Sequence, residues 1–450
     1  MSNKVFLMGS ASKRMHEFGY FYLMQEDFLH YLWKYKKFDH TKITTTSNTP
    51  ISILATGEHN LNSGPDFFNA KIKIGEQIWA GNVEIHLRSS DWYVHRHETD
   101  PNYDNVILHV VWEDDIEIFR KDNTSIPTVE LKQLVDAKTL ITYEDLLKKG
   151  STRWINCELD FFNFDGFTLE NWLERVYFER LQAKSLKILE LLKQSENNWE
   201  EVFYVLLLKS FGSKINADAF ENIALNTPFQ VIRKIGTSQF QLEALLFGQA
   251  GFLEVVSIED MYFKELQNEY QFLKKKYKLE NYQIQPRYFR LRPDNFPNIR
   301  LSQFANLIST NSQLFSKIVK SKTKEEIYSL LQAEVSEYWN THYTFSKIHK
   351  NRSKKLSKNF IDLLIINTIV PIKFCYQKAV GNYEEIDILG IMQDLSSESN
   401  SIIDHFEQLR PNTSKNAMFS QGLLQLKLAY CDKNACLKCS LGSKLIQGLV

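Results

Sequence analysis

Chemically reactive side chains are concentrated in residues 57–114 of this 450-residue chain. Five of the eleven histidines lie in this stretch, namely His59, His86, His95, His97 and His109. Carboxylates are interspersed among them, namely Glu58, Asp66, Glu84, Asp91 and Asp100. Imidazoles and carboxylates bind divalent cations, and both can take up or release protons in enzyme active sites. The stretch is therefore the first candidate for an active site or a metal site.

A hairpin is expected to bring two of these carboxylates together. Alternating hydrophobicity predicts strands over 67–74 and 78–87, joined by a tight turn that contains glycine. Antiparallel pairing about that turn puts Asp66 opposite His86, on the face of the sheet that also carries Glu84. Three chemically useful side chains would then project from two neighbouring strands.

Asp66, Glu84 and His86 together predict a metal-dependent catalytic site. Oxygen ligands from Asp66 and Glu84 suit Mg²⁺ or Mn²⁺ and leave positions for water and a phosphate oxygen. His86 would orient or deprotonate the attacking water, and Glu26 from an amphipathic helix over 24–36 would add a supporting acid. A purely structural interpretation makes Asp66 a turn residue after Gly-Pro.

The pattern Pro65-Asp66 followed by Glu84-x-His86 resembles the PD-(D/E)xK nuclease superfamily. The resemblance extends over about residues 24–131. It implies a restriction-endonuclease-like mixed sheet, a preceding helix with an acidic residue such as Glu26, and cleavage of nucleic acid by a metal-dependent phosphodiesterase. Histidine stands at position 86, where the superfamily pattern has lysine. The alternative prediction is therefore a catalytically inactive nuclease fold that binds nucleic acid or a protein partner.

Three further strings are similar to an uncharacterised bacterial family defined only as a domain of unknown function. They read GEHNLNSGPDFFNA, WAGNVEIHLRSSDW and NVILHVVW, and the cysteines near the C-terminus add to the likeness. The resemblance implies no activity, so the function has to be inferred from the residues themselves.

His95-Arg96-His97 is a second potential metal-binding group. On an extended strand, both imidazoles of a His-x-His sequence lie on one side, which suits a transition metal. With His59, they predict a zinc-dependent hydrolase of small molecules as a further alternative. A polar loop, or contacts with phosphates beside a Mg²⁺ ion, would explain His95 and His97 equally well. The secondary site candidates are Glu58, His59, Asp91, His95, His97 and His109, although a histidine in an apolar strand such as His109 is also typical of a core.

Three of the five cysteines form a Cys-x₄-Cys-x₂-Cys group, at Cys431, Cys436 and Cys439. Thiolates select Zn²⁺ or an iron–sulfur cluster such as [4Fe–4S], and both take four ligands. Cys157 is the predicted fourth ligand, whereas Cys375 lies in an apolar helix and is expected in the core. Such a site would attach the end of the chain to the α/β domain.

Two local basic segments predict contacts with nucleic acid, although the formal net charge of the whole chain is zero. Arginines alternate with aromatic residues over 287–300, a pattern that suits base stacking and phosphate contacts. The stretch 349–358 has no acidic residue, and it suits phosphate neutralisation or a solvated loop. The predicted nucleic-acid-binding residues are Arg287, Arg290, Arg292, Lys350, Arg352, Lys354 and Lys355.

The expected organisation is an α/β N-terminal domain followed by a large, mainly α-helical region. The cysteine content predicts a reducing cytoplasm, and the lack of a long uncharged apolar run predicts no contact with a membrane. The expected divisions are a mobile extension over 1–23, the α/β domain over 24–150, the helical region over 151–430, and a C-terminal segment over 431–450 that packs back on the core.

Overall fold

The computed structural model describes residues 24–60, 63–147, 153–254, 258–280, 284–381 and 385–450. The chain divides into two compact units. Unit 1 combines Met1–Trp172 with Leu426–Val450, and unit 2 is Leu173–Gln425. An N-terminal mixed sheet followed by a mainly helical region is confirmed. The extension expected over 1–23 lies outside the described residues.

Unit 1 contains a sheet of six strands. They are β1 (Ile51–Ala55), β2 (Glu58–His59), β3 (Phe67–Ile74), β4 (Gln77–Arg88), β5 (Val106–Glu113) and β6 (Thr128–Glu130). The order is β1-β3-β4-β5-β6, with β2 beside β3. Pairing is antiparallel from β1 to β4 and parallel from β4 to β6. The parallel step requires a crossover segment between β4 and β5, and this segment carries His95 and His97.

The described residues form nineteen α-helices. They are α1 (Glu26–Tyr35), α2 (Asp91–Val94), α3 (Ala137–Leu147), α4 (Gly166–Gln194), α5 (Trp199–Phe211), α6 (Ser213–Leu225), α7 (Phe229–Ile235), α8 (Gln239–Gln249), α9 (Met261–Tyr277), α10 (Pro297–Thr310), α11 (Leu314–Lys320), α12 (Lys324–Leu330), α13 (Glu337–Thr341), α14 (Lys358–Leu364), α15 (Val370–Val380), α16 (Glu385–Asp394), α17 (Ser401–Leu409), α18 (Ala417–Gln425) and α19 (Ser440–Ile446).

The main core of unit 1 lies between α1 and one face of the sheet. Val83 and Ile85 of β4 are buried there with Phe28 and Leu32 of α1. Because side chains alternate along a strand, the intervening Glu84 points to the other face. The sheet therefore has an apolar face covered by α1 and a face on which polar side chains can collect.

The register of the β3–β4 hairpin differs from the sequence prediction. Near the turn, the pairing is displaced by one residue, and a bulge around Asn69 displaces it by one more. Asn69 has a φ of 58°, a left-handed conformation that asparagine tolerates better than most residues. Asp66 consequently lies beside Glu84 rather than opposite His86. Two one-residue shifts preserve the alternation of faces, so the predicted shared face is retained.

The C-terminal segment of the chain packs against α1 within unit 1. Cys436 and Ile446 are part of the main core. The Tyr31 hydroxyl of α1 donates a hydrogen bond to the Ser443 carbonyl at 3.3 Å. Unit 1 is thus built from two separate segments of the chain, Met1–Trp172 and Leu426–Val450.

One helix of unit 2, Lys358–Val380, is 23 residues long and apolar enough to cross a membrane. It joins α14 and α15 through a π-helical turn at Ile365–Ile369, next to Pro371, which cannot donate a backbone hydrogen bond. Of its most apolar stretch, 72% is buried inside the structure. Its Lys373 Nζ donates to the Ser321 carbonyl at 2.6 Å. These contacts are those of a helix in the interior of the unit.

Candidate metal centre

The polar face of the sheet in unit 1 collects three buried ionisable side chains. Glu84 and His86 lie on β4, and His109 lies at the position of β5 that pairs with Glu84. Their exposed fractions are 4%, 2% and 0%. Buried groups of this kind are costly unless they bind each other or a ligand.

Asp66 and Glu84 are fixed by reciprocal hydrogen bonds to backbone. The Asp66 N–H donates to Glu84 Oε2 at 3.1 Å, and the Ile85 N–H donates to Asp66 Oδ2 at 2.9 Å. The bulge in β3 makes both contacts possible by bringing residue 66 beside residue 84. One oxygen of each carboxylate is therefore engaged, whereas Glu84 Oε1 faces two imidazoles.

His30 of α1 adds a group that the sequence analysis missed. Its Nε2 lies 3.2 Å from Asp66 Oδ2. Burial opposes protonation of His30, but the contact with Asp66 and its charge outweigh burial, so the pKa of His30 is raised. The pKa of Glu26 is also raised, by burial and by the charge of Asp66. The spacing of Glu26 and His30, one helical turn apart on a largely buried helix, was the available signal.

Three imidazoles and one carboxylate oxygen converge beside this pair. Donor nitrogens of His86, His95 and His97 all lie within 4.8 Å of one another. His86 Nε2 is 3.1 Å from His95 Nδ1. Glu84 Oε1 is 3.4 Å from His86 Nε2 and 3.3 Å from His97 Nε2. Ligands of a tetrahedral ion at bonds of about 2.0–2.1 Å are separated by about 3.3–3.4 Å. The separations His86–His95, Glu84–His86 and Glu84–His97 are therefore close to those of neighbouring ligands in a coordination shell.

The crossover segment after β4 positions His95 and His97, which were expected on an extended strand. In the structure, His95 follows the short helix α2, Arg96 has a φ of 61°, and His97 begins a 3₁₀ turn. The left-handed residue reverses the chain and brings both rings towards His86. The ring of Tyr103 stacks on His97 at 3.7 Å between centroids, and Trp92 meets the same ring edge-on at 5.3 Å.

Burial favours the neutral forms of Glu84, His86 and His97. Burial and the nearby charge of Asp66 raise the pKa of Glu84 to about 9. Burial and the neighbouring His109 and His97 hold the pKa of His86 far below its ordinary value. Within the described part of the chain, the buried His97 Nε2 has no hydrogen-bond partner. A divalent cation binds neutral imidazoles and an ionised carboxylate. His86 and His97 therefore fit a metal ion as they are, and metal binding would release the proton of Glu84.

His109 orients the ring of His86 through a hydrogen bond between their imidazoles. His86 Nδ1 lies 2.8 Å from His109 Nε2. His109 is fully buried, and burial lowers its pKa to about 3. Since a neutral His109 has one acceptor nitrogen, it can accept the proton of His86 Nδ1 and leave His86 Nε2 free to bind a metal. Histidine ligands are commonly oriented in this way by a second group.

The remaining candidates lie around this centre or away from it. The structure groups His86, and not His59, with His95 and His97. The His59 ring stacks on Phe67 at 4.8 Å and lies 5.3 Å from the ring of His30. Glu58 is exposed on β2. Asp91 accepts a hydrogen bond from the Arg88 N–H at 3.0 Å, which is a turn contact before α2.

The four predicted cysteine ligands lie together in unit 1. Cys157, Cys431, Cys436 and Cys439 line one small buried cavity. Burial, followed by the other thiols, raises the pKa of Cys157, and burial raises that of Cys439 to about 11. The Asn156 side-chain amide donates to Cys436 Sγ at 3.3 Å. Four converging thiols are a suitable ligand set for Zn²⁺ or an iron–sulfur cluster. Cys375 is buried in α15 of unit 2, as expected.

The predicted basic residues separate into two groups in unit 2. Arg292, Arg352, Lys354 and Lys355 line one cleft. Among the described residues, Arg287, Arg290 and Lys350 are exposed and are not part of its wall. The structure therefore brings together only some of the predicted basic residues.

The chain belongs to the family described as "Protein of unknown function (DUF2851)", whose model matches residues 26–401. The match covers the candidate metal centre and most of the helical unit, and it ends before the three C-terminal cysteines. No curated protein and no solved structure matches the chain significantly.

Proposed function

We propose that this member of the family is a metal-dependent phosphodiesterase that acts on nucleic acid. The observation that carries the proposal is the convergence of Glu84 Oε1 with nitrogens of His86, His95 and His97, next to Asp66. His95 is exposed, so that a substrate can reach the centre from solvent.

The ligand chemistry favours Mn²⁺ or Zn²⁺ over Mg²⁺. Mg²⁺ prefers oxygen ligands, whereas imidazole suits zinc and other transition metals. One oxygen of Asp66 and one of Glu84 are already engaged by backbone N–H groups. We therefore propose a centre with one carboxylate and three imidazoles, to which Asp66 is adjacent, in place of the Mg²⁺ or Mn²⁺ site expected on two carboxylates.

The protein's own residues have distinct roles in this proposal. Glu84, His86, His95 and His97 would hold the ion, which supplies Lewis acidity and a bound water of lowered pKa. His109 keeps the His86 ring in the tautomer that presents Nε2. Asp66 favours the protonated form of His30, because its contact and charge raise the pKa of that imidazole. A protonated His30 can neutralise a phosphate oxygen or donate a proton to a leaving group.

The resemblance to the PD-(D/E)xK nucleases supports a phosphodiester substrate. An acid-bearing helix (α1, with Glu26) precedes the sheet, Asp66 stands at the start of β3, and Glu84-x-His86 lies on β4. The superfamily has a lysine where this chain has His86. Burial keeps His86 neutral, so it cannot replace the charge of that lysine. His30, on the neighbouring helix, is the residue we propose for that charge.

Three imidazole ligands also favour a second candidate, a zinc-dependent hydrolase of small molecules. Zinc hydrolases commonly use three protein ligands and an open position for water. A third possibility, a nuclease fold that binds nucleic acid or a protein partner without cutting, predicts no hydrolysis with any metal.

The test is cleavage by purified protein that has been stripped with EDTA and reloaded with Mn²⁺, Zn²⁺ or Mg²⁺. Substrates are labelled single- and double-stranded DNA and RNA, with a p-nitrophenyl ester and a phosphodiester as small molecules. We expect nucleic-acid cleavage with Mn²⁺ or Zn²⁺ that falls by about 100-fold or more in E84A and H86A.

The matched control is E58A, which removes an exposed carboxylate of β2 and should retain full activity. Hydrolysis of the ester alone would establish the small-molecule alternative. Binding of nucleic acid without cleavage under any metal would overturn the enzymatic proposal.

We further propose that Cys157, Cys431, Cys436 and Cys439 hold Zn²⁺ or a [4Fe–4S] cluster. The support is that all four thiols line the same cavity although 273 residues separate the first two in sequence. In this role the ion or cluster stabilises the attachment of the C-terminal segment to unit 1 and takes no part in hydrolysis.

A further inference from the structure

A basic cleft of about 690 Å³ lies within unit 2. Its wall is formed by residues 292–303, at the start of α10, and 352–357, just before α14. Among the described residues that line it, five are cationic and one is acidic, namely Arg292, Arg300, Arg352, Lys354, Lys355 and Asp294. A cavity of this size is typical of small-molecule and nucleotide sites.

Arg300 is the most informative residue of the cleft, because its charge is buried and, among the described residues, no carboxylate forms an ion pair with it. Only 6% of the residue is exposed. Its Nη atoms donate to the amide oxygens of Gln303 at 2.9 Å and Asn295 at 2.6 Å, both of them neutral acceptors. Its guanidinium lies 3.6 Å from the centre of the Phe360 ring. As far as the structure describes the chain, the buried Nε has no hydrogen-bond partner.

A buried guanidinium of this kind is costly unless an anion compensates it. Burial lowers the pKa of Arg300 to about 10, which the charge of Asp294 only partly offsets. The group therefore stays protonated at neutral pH. An anion in the cleft would supply the missing counter-charge and a partner for the free N–H.

Lys354 adds a second buried cation to the same wall. It is 3% exposed, and its Nζ donates to the carbonyls of Trp339 and His342. The Nζ also lies 4.0 Å from the centre of the Tyr343 ring. Lys354 thus contributes positive potential from a fixed position, because its donors are already used within the protein.

The cations at the rim are held loosely. Arg352 pairs with Asp294 at 2.7 Å, and Lys355 lies 3.6 Å from Glu334, and all four side chains are about half exposed or more. Exposed pairs of this type contribute little to stability. Arg292 is exposed as well. These side chains can therefore turn towards a ligand at small cost.

We propose that this cleft binds the phosphate groups of a nucleotide or of a single nucleic-acid strand. Phosphate matches both features of the wall, because guanidinium groups bind its oxygens in forked pairs and the rim lysine neutralises its charge. The aromatic ring under Arg300 keeps the guanidinium plane fixed. The proposal concerns unit 2 alone and does not depend on the metal centre of unit 1.

The test is equilibrium binding by the full-length protein in EDTA, which prevents metal-dependent cleavage. The probe is a fluorescein-labelled single strand of about 12 nucleotides, a length within the range that one single-strand-binding domain covers. Unlabelled AMP, ATP and inorganic phosphate serve as competitors. Competition by ATP at micromolar concentration would identify a nucleotide site, and its absence would identify a strand site.

The variant R292A/R352A removes two exposed rim cations. We expect at least a tenfold loss of affinity and a log–log salt dependence that is weaker by about 1.4, the effect of two lost phosphate contacts. The control R233A/K275A removes the same charge from exposed positions outside the wall and should bind like the wild type.

R300Q tests the buried charge itself, with circular dichroism to verify folding. We expect binding to be lost with the helical signal intact. If R300Q does not fold, the rim variant decides alone. The proposal is wrong if the wild type binds none of the probes, or if R292A/R352A and its control bind equally well.

Discussion

His86 and His109 form a hydrogen-bonded imidazole pair, with 2.8 Å between His86 Nδ1 and His109 Nε2. The pair connects the parallel strands β4 and β5 at a position where both strands bury ionisable side chains. It also determines which nitrogen of His86 faces Glu84, His95 and His97. The geometry of the candidate metal centre therefore depends on a residue that does not touch the metal position.

Replacing His109 by phenylalanine should weaken metal binding without removing a ligand. Phenylalanine keeps the ring volume but cannot accept the proton of His86 Nδ1, and loss of such a partner commonly costs 10- to 100-fold in affinity. Competition with a chromophoric chelator measures the dissociation constants for Zn²⁺ and Mn²⁺. H40F, which changes an exposed histidine of the same unit, should have no effect. Equal affinities for H109F and wild type would contradict the assigned role.

Substituting single histidines should separate the two histidine groups. H97A removes a nitrogen of the converging set, and we expect the bound metal to fall well below one ion per chain. H59A removes a ring that stacks on Phe67, and it should retain the metal. Elemental analysis after dialysis against limiting Zn²⁺ measures both. Loss of the metal from both H97A and H59A would favour the grouping of His59, His95 and His97 expected from the sequence, and retention by H97A would contradict the proposed centre.

The four cysteines should stabilise the C-terminal segment through a bound ion or cluster. C157S and C439S should each lose it, because both thiols line the same cavity. A visible absorption band in protein purified without oxygen would identify an iron–sulfur cluster, and bound zinc without that band would identify Zn²⁺. C375S should behave like the wild type, since Cys375 is in unit 2. Absence of both metals from the wild type would exclude the proposed site.

A buried glutamate in unit 2 should make stability depend on pH. Glu243 is fully buried and accepts hydrogen bonds from Ser302 at 2.6 Å, from Ser336 and Gln239 at 3.1 Å, and from Tyr262. Burial raises its pKa, and these hydrogen bonds only partly oppose that shift. The unfolded chain has a glutamate pKa of about 4.3. The folded protein therefore binds the extra proton above that pH, and stability from this group is lost as pH rises through the folded pKa.

The variant E243Q carries no titrating proton at this position. We expect the urea midpoint of the wild type to fall from pH 5 to pH 8 more steeply than that of E243Q. E265Q changes an exposed glutamate of α9 and should keep the wild-type slope. Parallel slopes for wild type and E243Q would show that Glu243 ionises equally in both states.

Gly57 should be essential for the bulge that aligns Asp66 with Glu84. Its φ is 90°, and a Cβ there would lie 2.6 Å from the Phe68 carbonyl oxygen. We expect G57A to destabilise this part of the sheet by about 1–3 kcal/mol and to speed hydrogen exchange in β3. G390A is the control, since a Cβ there meets no atom within 4 Å. Unchanged exchange in β3 of G57A would contradict this role.

The sequence predicted the elements better than their exact pairing. Strands β3 and β4 and helix α1 follow from the hydrophobic period along the chain. The bulge at Asn69 could not be predicted, because it depends on tertiary contacts around Gly57 as much as on local preference. Its effect was to place Asp66 beside Glu84 instead of His86.

The sequence indicated several residues of the candidate site better than it indicated their arrangement. Asp66, Glu84 and His86 were expected together because alternation along a hairpin requires it. The convergence of His95 and His97 on His86 depends on the left-handed Arg96, which sequence patterns do not reveal. His30 belongs to a helix far from the motif and was recognisable only by its spacing from Glu26.

The composition of unit 1 from both ends of the chain has a consequence for biosynthesis. A ribosome makes about 5–20 residues per second, so the whole of unit 2 is made between the two parts of unit 1, over a time on the order of tens of seconds. The core of the sheet and the thiol cavity are complete only after Leu426–Val450 has been synthesised. A polypeptide released early would keep every residue of the metal centre and still lack part of the core that supports it. Truncation before residue 426 should thus yield aggregation-prone chains, because the core of unit 1 would lack Cys436 and Ile446.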